Sequence, residues 1–172
     1  MYASAILEHI AWPDGYRALS EWARVLRVGG TLKVSVPDMR LLCSLIDQGI
    51  NVSHCIGMIY GTGRISDPLE AHQYGFTREL LVEMLHVLGF DSFDTWESEV
   101  PDASNGWLYL VNGERVAVSL NVSAIKRRAP LVDTSLLLKE LARDPLAPFM
   151  CSVREIASES PDVSVDIDIA AV

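Results

Sequence analysis

The sequence predicts an α/β protein, a partial doubly wound sheet with flanking helices. Three observations carry this. Residues 31–36 alternate Leu32, Val34 and Val36 with polar partners, the two-residue period of a strand. Residues 16–26 place Leu19, Trp22, Val25 and Leu26 at helical spacing, and Gly29-Gly30 follows where a left-handed residue can end a helix. A short apolar segment, 1–6, precedes both. Strand, loop, helix, double glycine, strand is the order of a parallel βαβ crossover.

The other elements follow along the chain. Trp12-Pro13-Asp14-Gly15 reads as a turn, since proline presets one dihedral and Asp-Gly suits the next positions. Asp38 is placed to cap a helix over 39–48 that Gly49 ends. Residues 51–60 are apolar without clean alternation, which suits a packed helix better than a strand. The stretch 61–74 is the longest irregular segment, and long loops on α/β scaffolds often hold binding residues. Thr77 then caps a helix running to Leu88, with Leu80, Leu81, Met84, Leu85 and Leu88 as its apolar stripe. Strands are expected at 92–97 and 107–111. Asn112-Gly113 predicts a type I′ hairpin, because both central positions need positive φ. Val116, Val118, Leu120 and Val122 then alternate with small or polar residues, predicting one long half-buried strand.

From Ala129 the composition changes, with Pro130, Pro145, Pro148 and Pro161 punctuating it. Helical segments are expected at 136–143 and 152–158, and Val163, Val165, Ile167 and Ile169 alternate as a strand would. The chain therefore divides into 1–128 and an appended tail, 129–172.

Bulk properties exclude several classes. The chain has 172 residues, 49% of them hydrophobic, enough for one domain with a real core. A net charge of −9 argues against nucleic acid, since phosphate binding needs a basic face. The basic cluster Lys126-Arg127-Arg128 reads as a solvated strand end. Cys43, Cys55 and Cys151 lack metal-ligand spacing and read as small buried hydrophobes in a reducing compartment. No apolar run approaches the roughly eighteen residues of a membrane helix, so the expectation is a cytoplasmic protein with no membrane partner.

Certain residues also carry a resemblance. Tyr2-Ala3-Ser4 with Leu7-Glu8-His9, Glu21-Trp22 with Arg24-Val25-Leu26, Gly29-Gly30 and Val36-Pro37-Asp38 resemble the second half of a class I S-adenosylmethionine-dependent methyltransferase, of the type 11-like kind. His72 with Gly75-Phe76, then Gly89-Phe90 and the segment 118–122, are similar to later parts of that family. The resemblance covers about the first three quarters of the chain. It implies a Rossmann-like sheet with strands equivalent to 4-5-7-6, S-adenosylmethionine as cofactor, and a small-molecule or sugar acceptor. It also implies that the strand, glycine-rich turn and acidic residue of the cofactor cradle would lie before Met1. The first strand, central in the full order 3-2-1-4-5-7-6, would then be an edge open to self-association, with apolar surface uncovered beside it. The chain by itself is expected to be catalytically incomplete. The alternative is an inactive remnant serving as an interaction or structural subunit.

Three places reach the carboxyl edge of the parallel strands, where open α/β sheets bind ligands. Ala3, Ser4, Glu8 and His9 follow the first strand, and the resemblance places them beside the methionine half of the cofactor; the alternative is that Glu8 and His9 satisfy backbone groups. Asp38 follows the next strand and could face substrate, although a helix cap explains it fully. Tyr60, His72 and Tyr74 lie around the long loop. Of these His72 is the candidate base, because an imidazole titrates near neutrality, and the alternative is a packing histidine. Gly61-Thr62-Gly63 is a faint dinucleotide-loop signal that Pro68 and the absence of a following acidic residue argue against. No Ser-His-Asp order, metal-ligand set or carboxylate pair stands out.

Overall fold

The computed structural model describes residues 1–61, 68–98, 102–105 and 108–158. In chain order the elements are β1 (Tyr2–Ser4), α1 (Asp14–Val25), β2 (Thr31–Pro37), α2 (Met39–Asp47), α3 (Val52–Tyr60), α4 (Arg78–Val87), β3 (Phe90–Thr95), β4 (Leu108–Val111), β5 (Glu114–Ala117), β6 (Ser119–Lys126), α5 (Thr134–Arg143) and α6 (Phe149–Ser158). Short 3₁₀ turns cover Leu7–His9, Pro68–Glu70 and Ala103–Asn105.

Four strands form a mixed sheet in the order β1-β2-β6-β3. β1 runs parallel to β2, with Ala3 opposite Val34, and β6 pairs antiparallel with both β2 and β3. A parallel neighbour obliges the chain to cross back over one face, and α1 makes that crossing. Leu32, Val34 and Val36 of β2 are buried with Tyr16, Leu19 and Ala23 of α1 and with Leu81, Met84 and Leu85 of α4. Each such side chain contributes about 1.5–3 kcal/mol by leaving water. The segment expected as an appended tail shares this core, supplying Leu137 and Leu141 from α5 and Phe149 and Val153 from α6. The strand expected at 163–169 lies outside the described residues.

The opposite face of the sheet is largely polar. It carries Thr31, Lys33, Asn121 and Ser123, with Lys33 Nζ 5.2 Å from the Trp96 ring centroid. Asn121 Nδ2 donates to the carbonyls of Trp96 and Ser104, so loop backbone covers this side. The outer side of β1 has no strand partner among the described residues. Met1, Tyr2 and Ile6 are exposed there, and Tyr2 hydroxyl bonds to Asp102 and Ser104.

Several local expectations are corrected. Residues 12–15 are not a free turn: α1 begins at Asp14, whose carboxylate pairs with Arg17 at 3.1 Å in the first turn, where the helix dipole favours an anion. The strand expected over 116–122 is two strands. β5 pairs with β4 as a separate hairpin, in which Asn112 (φ 52°) and Gly113 (φ 86°) make the type I′ turn. The chain breaks at Val118, whose carbonyl accepts from Asp38 N–H and whose side chain enters a second core with Leu42, Leu45 and Cys55. Of the three cysteines only Cys55 is buried; Cys43 and Cys151 are exposed thiols. Lys126 is not merely solvated, since its ammonium donates to the Ala23 and Leu26 carbonyls at the end of α1. Among the described residues no helix is long and apolar enough to cross a membrane.

Asp38 Oδ1 accepts from Leu41 N–H at 3.1 Å and so caps α2. Replacing Asp38 with Ala is expected to cost about 1 kcal/mol, and Asp38→Asn only a small part of that, read as a shift in urea midpoint. Equal midpoints for Asp38→Ala and the parent would contradict the capping role.

Candidate functional site

A cavity of about 710 Å³ opens at the carboxyl ends of β1 and β2. Its wall includes Ala5, Glu8 and His9 after β1, Ser35 to Pro37 at the end of β2, His54 and Met58 from α3, His72, and Tyr109 from β4. Each part reaches this place for a local reason.

The 3₁₀ turn Leu7–His9 closes with His9 N–H donating to the Ile6 carbonyl and Ile10 N–H to that of Leu7. Leu7 is 1% exposed and belongs to the main core, which pins the turn to the sheet. The segment after the long loop docks onto it, because the Glu8 carbonyl accepts from both Gln73 N–H (2.6 Å) and Tyr74 N–H (3.2 Å). At the far end of α3 the last carbonyls lack intrahelical donors, as at any helix terminus. His72 supplies them: its Nδ1–H donates to Met58 O at 2.8 Å and its backbone N–H to Tyr60 O at 3.1 Å. His9 Nδ1–H likewise donates to Ala71 O at 3.3 Å. The two imidazole rings meet edge to face, 4.8 Å between centroids.

A carbonyl only accepts, so each ring carries a proton on Nδ1, and the neutral form of each then has its lone pair on Nε2. Burial and the neighbouring His9 hold the His72 pKa below the usual imidazole range, so that ring is neutral at neutral pH. Glu8 is only 2% exposed, and its Oε2 is buried with no hydrogen-bond partner. Burial pushes its carboxyl above the usual range, while a bond from its own backbone amide and the adjacent His9 pull the other way. One ligand atom from each of Glu8, His9 and His72 lies within 4.8 Å of the others. Sequence spacing showed no metal-ligand set because more than sixty residues separate the two histidines; the fold brings them together.

The remaining sequence-predicted residues are placed as follows. Ala3 is buried within the sheet, and Ser4 follows it with a buried, unpartnered Oγ. Asp38 caps α2 beside the cavity. Tyr60 is 70% exposed and lies outside the cavity wall, where its carbonyl rather than its ring takes part. Tyr74 stacks on Trp12 at 5.0 Å and packs against the main core. Sequence reading missed α3 as a wall of the site. Ser53, His54, Gly57 and Met58 sit at i, i+1, i+4 and i+5, which is one helical face. It read the β4–β5 hairpin from Asn112-Gly113 but did not bring it to the site, where the Tyr109 ring lies 6.3 Å from that of His54.

Gly61 is the hinge of the arrangement. At φ 85° and ψ 176° it occupies a region nearly restricted to glycine, and a Cβ there would sit 2.0 Å from Glu70 O and 3.0 Å from His72 N. Gly61→Ala is therefore expected to destabilise the chain by at least about 1–3 kcal/mol and to loosen residues 70–72. Denaturant midpoint and amide exchange at His72 measure both, and an unchanged midpoint would count against this geometry. Comparison with protein-family models, with curated proteins and with solved structures gives no match, so the functional reading rests on the residues themselves.

Proposed function

We propose that the chain belongs to an S-adenosylmethionine-dependent methyltransferase acting on a small-molecule or sugar acceptor, and that it contributes the rear part of the catalytic domain. The observation that carries this reading is the strand order. The order is β1-β2-β6-β3, with β1 and β2 parallel and β6 returning antiparallel between earlier strands, and it supports reading these strands as the 4-5-7-6 that the resemblance implies. A second support is the cavity, which lies at the carboxyl ends of the parallel pair, where ligands of open α/β sheets bind.

The residues present suit the polar half of the donor. Glu8 Oε2 is a buried polar atom with nothing to bond, and such an orphan is costly unless a ligand satisfies it. Glu8 and His9 would hold the donor from the cavity wall, which Ala3 and Ser4 do not line. Bound there, S-adenosylmethionine supplies an activated methyl group with its leaving group attached, so alignment does most of the work. Within the chain the task is then to seat a hydroxyl and take its proton. The neutral His72 ring, with Nε2 free, is the base suited to that step. The apolar walls formed by Val36, Met58 and Leu108 limit water around it. A cytoplasmic location accords with this chemistry.

A second reading is an inactive remnant serving as an interaction subunit. It is favoured by the unpartnered side of β1, with Met1, Tyr2 and Ile6 exposed along it. Calorimetric titration of the purified chain with S-adenosylmethionine separates the two. Saturable one-site heat, weakened at least tenfold by Glu8→Ala, is expected. Heat indistinguishable from dilution contradicts donor binding and favours the interaction subunit.

A further inference from the structure

The polar end of the cavity holds an arrangement that offers the His72 lone pair a second use, exclusive of proton transfer. Three donor groups from two distant parts of the chain converge there, and each has an electron pair left over. His9 and His72 spend their Nδ1–H groups on the Ala71 and Met58 carbonyls. Glu8 keeps Oε2 unpartnered although the residue is 98% buried, on the basis of 2% exposure.

We propose that Glu8, His9 and His72 form a binding site for one divalent first-row transition-metal ion. The pattern fits the chemistry of such sites. Histidine ligands characteristically donate their other ring N–H to a backbone carbonyl or carboxylate, which fixes the tautomer and aims the lone pair at the metal. Both rings make that Nδ1–H bond to a backbone carbonyl here. Two imidazoles and one carboxylate suit zinc, iron, cobalt or nickel, whereas magnesium and calcium prefer oxygen ligands throughout. The ligand atoms lie within 4.8 Å of one another. Bonds of about 2.0–2.2 Å bring ligands to roughly 3–4 Å apart, so closure asks for a shift of about one ångström.

The supporting shell is already in place. The Glu8 carbonyl holds Gln73 and Tyr74, and the end of α3 holds His72 by ring and backbone alike, so the ligands come from anchored segments. Three protein ligands leave at least one coordination position free, and the cavity supplies the room beside it. A hydroxyl entering that position would be acidified by the ion itself, and with an ion on its Nε2 His72 would act as ligand instead of base. The site stands on this geometry alone and does not depend on the methyl-donor reading.

The test is metal binding by the purified full chain after treatment with a chelator. Titration with Co²⁺ is expected to develop visible d–d absorption that saturates at one ion per chain, with Zn²⁺ displacing it and equimolar Mg²⁺ leaving it unchanged. Glu8→Gln, His9→Gln and His72→Gln should each weaken binding at least tenfold at unaltered far-UV circular dichroism, while His86→Gln on α4 should bind as the parent does. Should His72→Gln disturb the fold, His9→Gln decides, because that ring makes a single hydrogen bond of 3.3 Å. Absence of Co²⁺ bands in the parent, displacement by Mg²⁺, or binding that survives His9→Gln or Glu8→Gln overturns the proposal.

Discussion

Everything in this structure is arranged around the need to satisfy β2 on both of its edges and cover its apolar face. One edge takes β1 in parallel and the other takes β6 antiparallel. The parallel choice has the larger consequence. It sends the chain across the sheet through α1, burying Tyr16, Leu19 and Ala23 over Leu32 and Val34, and it puts the carboxyl ends of two strands side by side. The cavity is the space between the loops that leave those ends. Had β1 paired antiparallel, the turn carrying Glu8 and His9 would emerge at the opposite end of the sheet.

The site itself is assembled from groups that secondary structure leaves unsatisfied. The last carbonyls of α3 and the carbonyl of Glu8 need donors, and the segment 71–74 provides them. Closing the loop thus satisfies two termini with backbone and imidazole N–H groups, and sets the histidine rings together as a result. What stays unsatisfied is then informative. Among the described residues the buried unpartnered polar atoms are Ser4 Oγ, Glu8 Oε2, Tyr16 hydroxyl, Trp96 Nε1 and Asn121 Oδ1, and of these residues Glu8 alone lines the cavity, a local conflict of the kind expected where a protein keeps a site.

Legibility in the sequence followed the range of the interactions. Elements set by local periodicity or capping were readable: the stripe of α4, the Asp38 and Thr77 caps, and the Asn112-Gly113 turn, all of which depend on residues within a few positions. The break at Val118 was not, because alternation continues unbroken through it and only the Asp38 N–H and the pocket of Leu42, Leu45 and Cys55 redirect the chain. Lys126 read as solvent-facing since its partners, the terminal carbonyls of α1, lie about a hundred residues away. Glu8, His9 and His72 could each be nominated singly from the loops they occupy. Their convergence could not, because it depends on how residues 71–74 cross between α3 and the turn after β1. Tyr60 and Tyr74 show the converse: an aromatic near a binding loop tells little about whether its ring faces the cavity, the solvent or, like Tyr74, another aromatic.

The central claim is that residues 71–74 dock on the Glu8 turn and on α3 so that both histidines donate from Nδ1 and keep Nε2 open. Long-range proton–nitrogen correlation spectra of the ¹⁵N-labelled, chelator-treated chain test it directly. The structure requires a proton on Nδ1 of His9 and of His72 alike. Spectra showing either ring as the Nε2–H tautomer, the form free imidazole prefers, would contradict the docked arrangement and the site built on it.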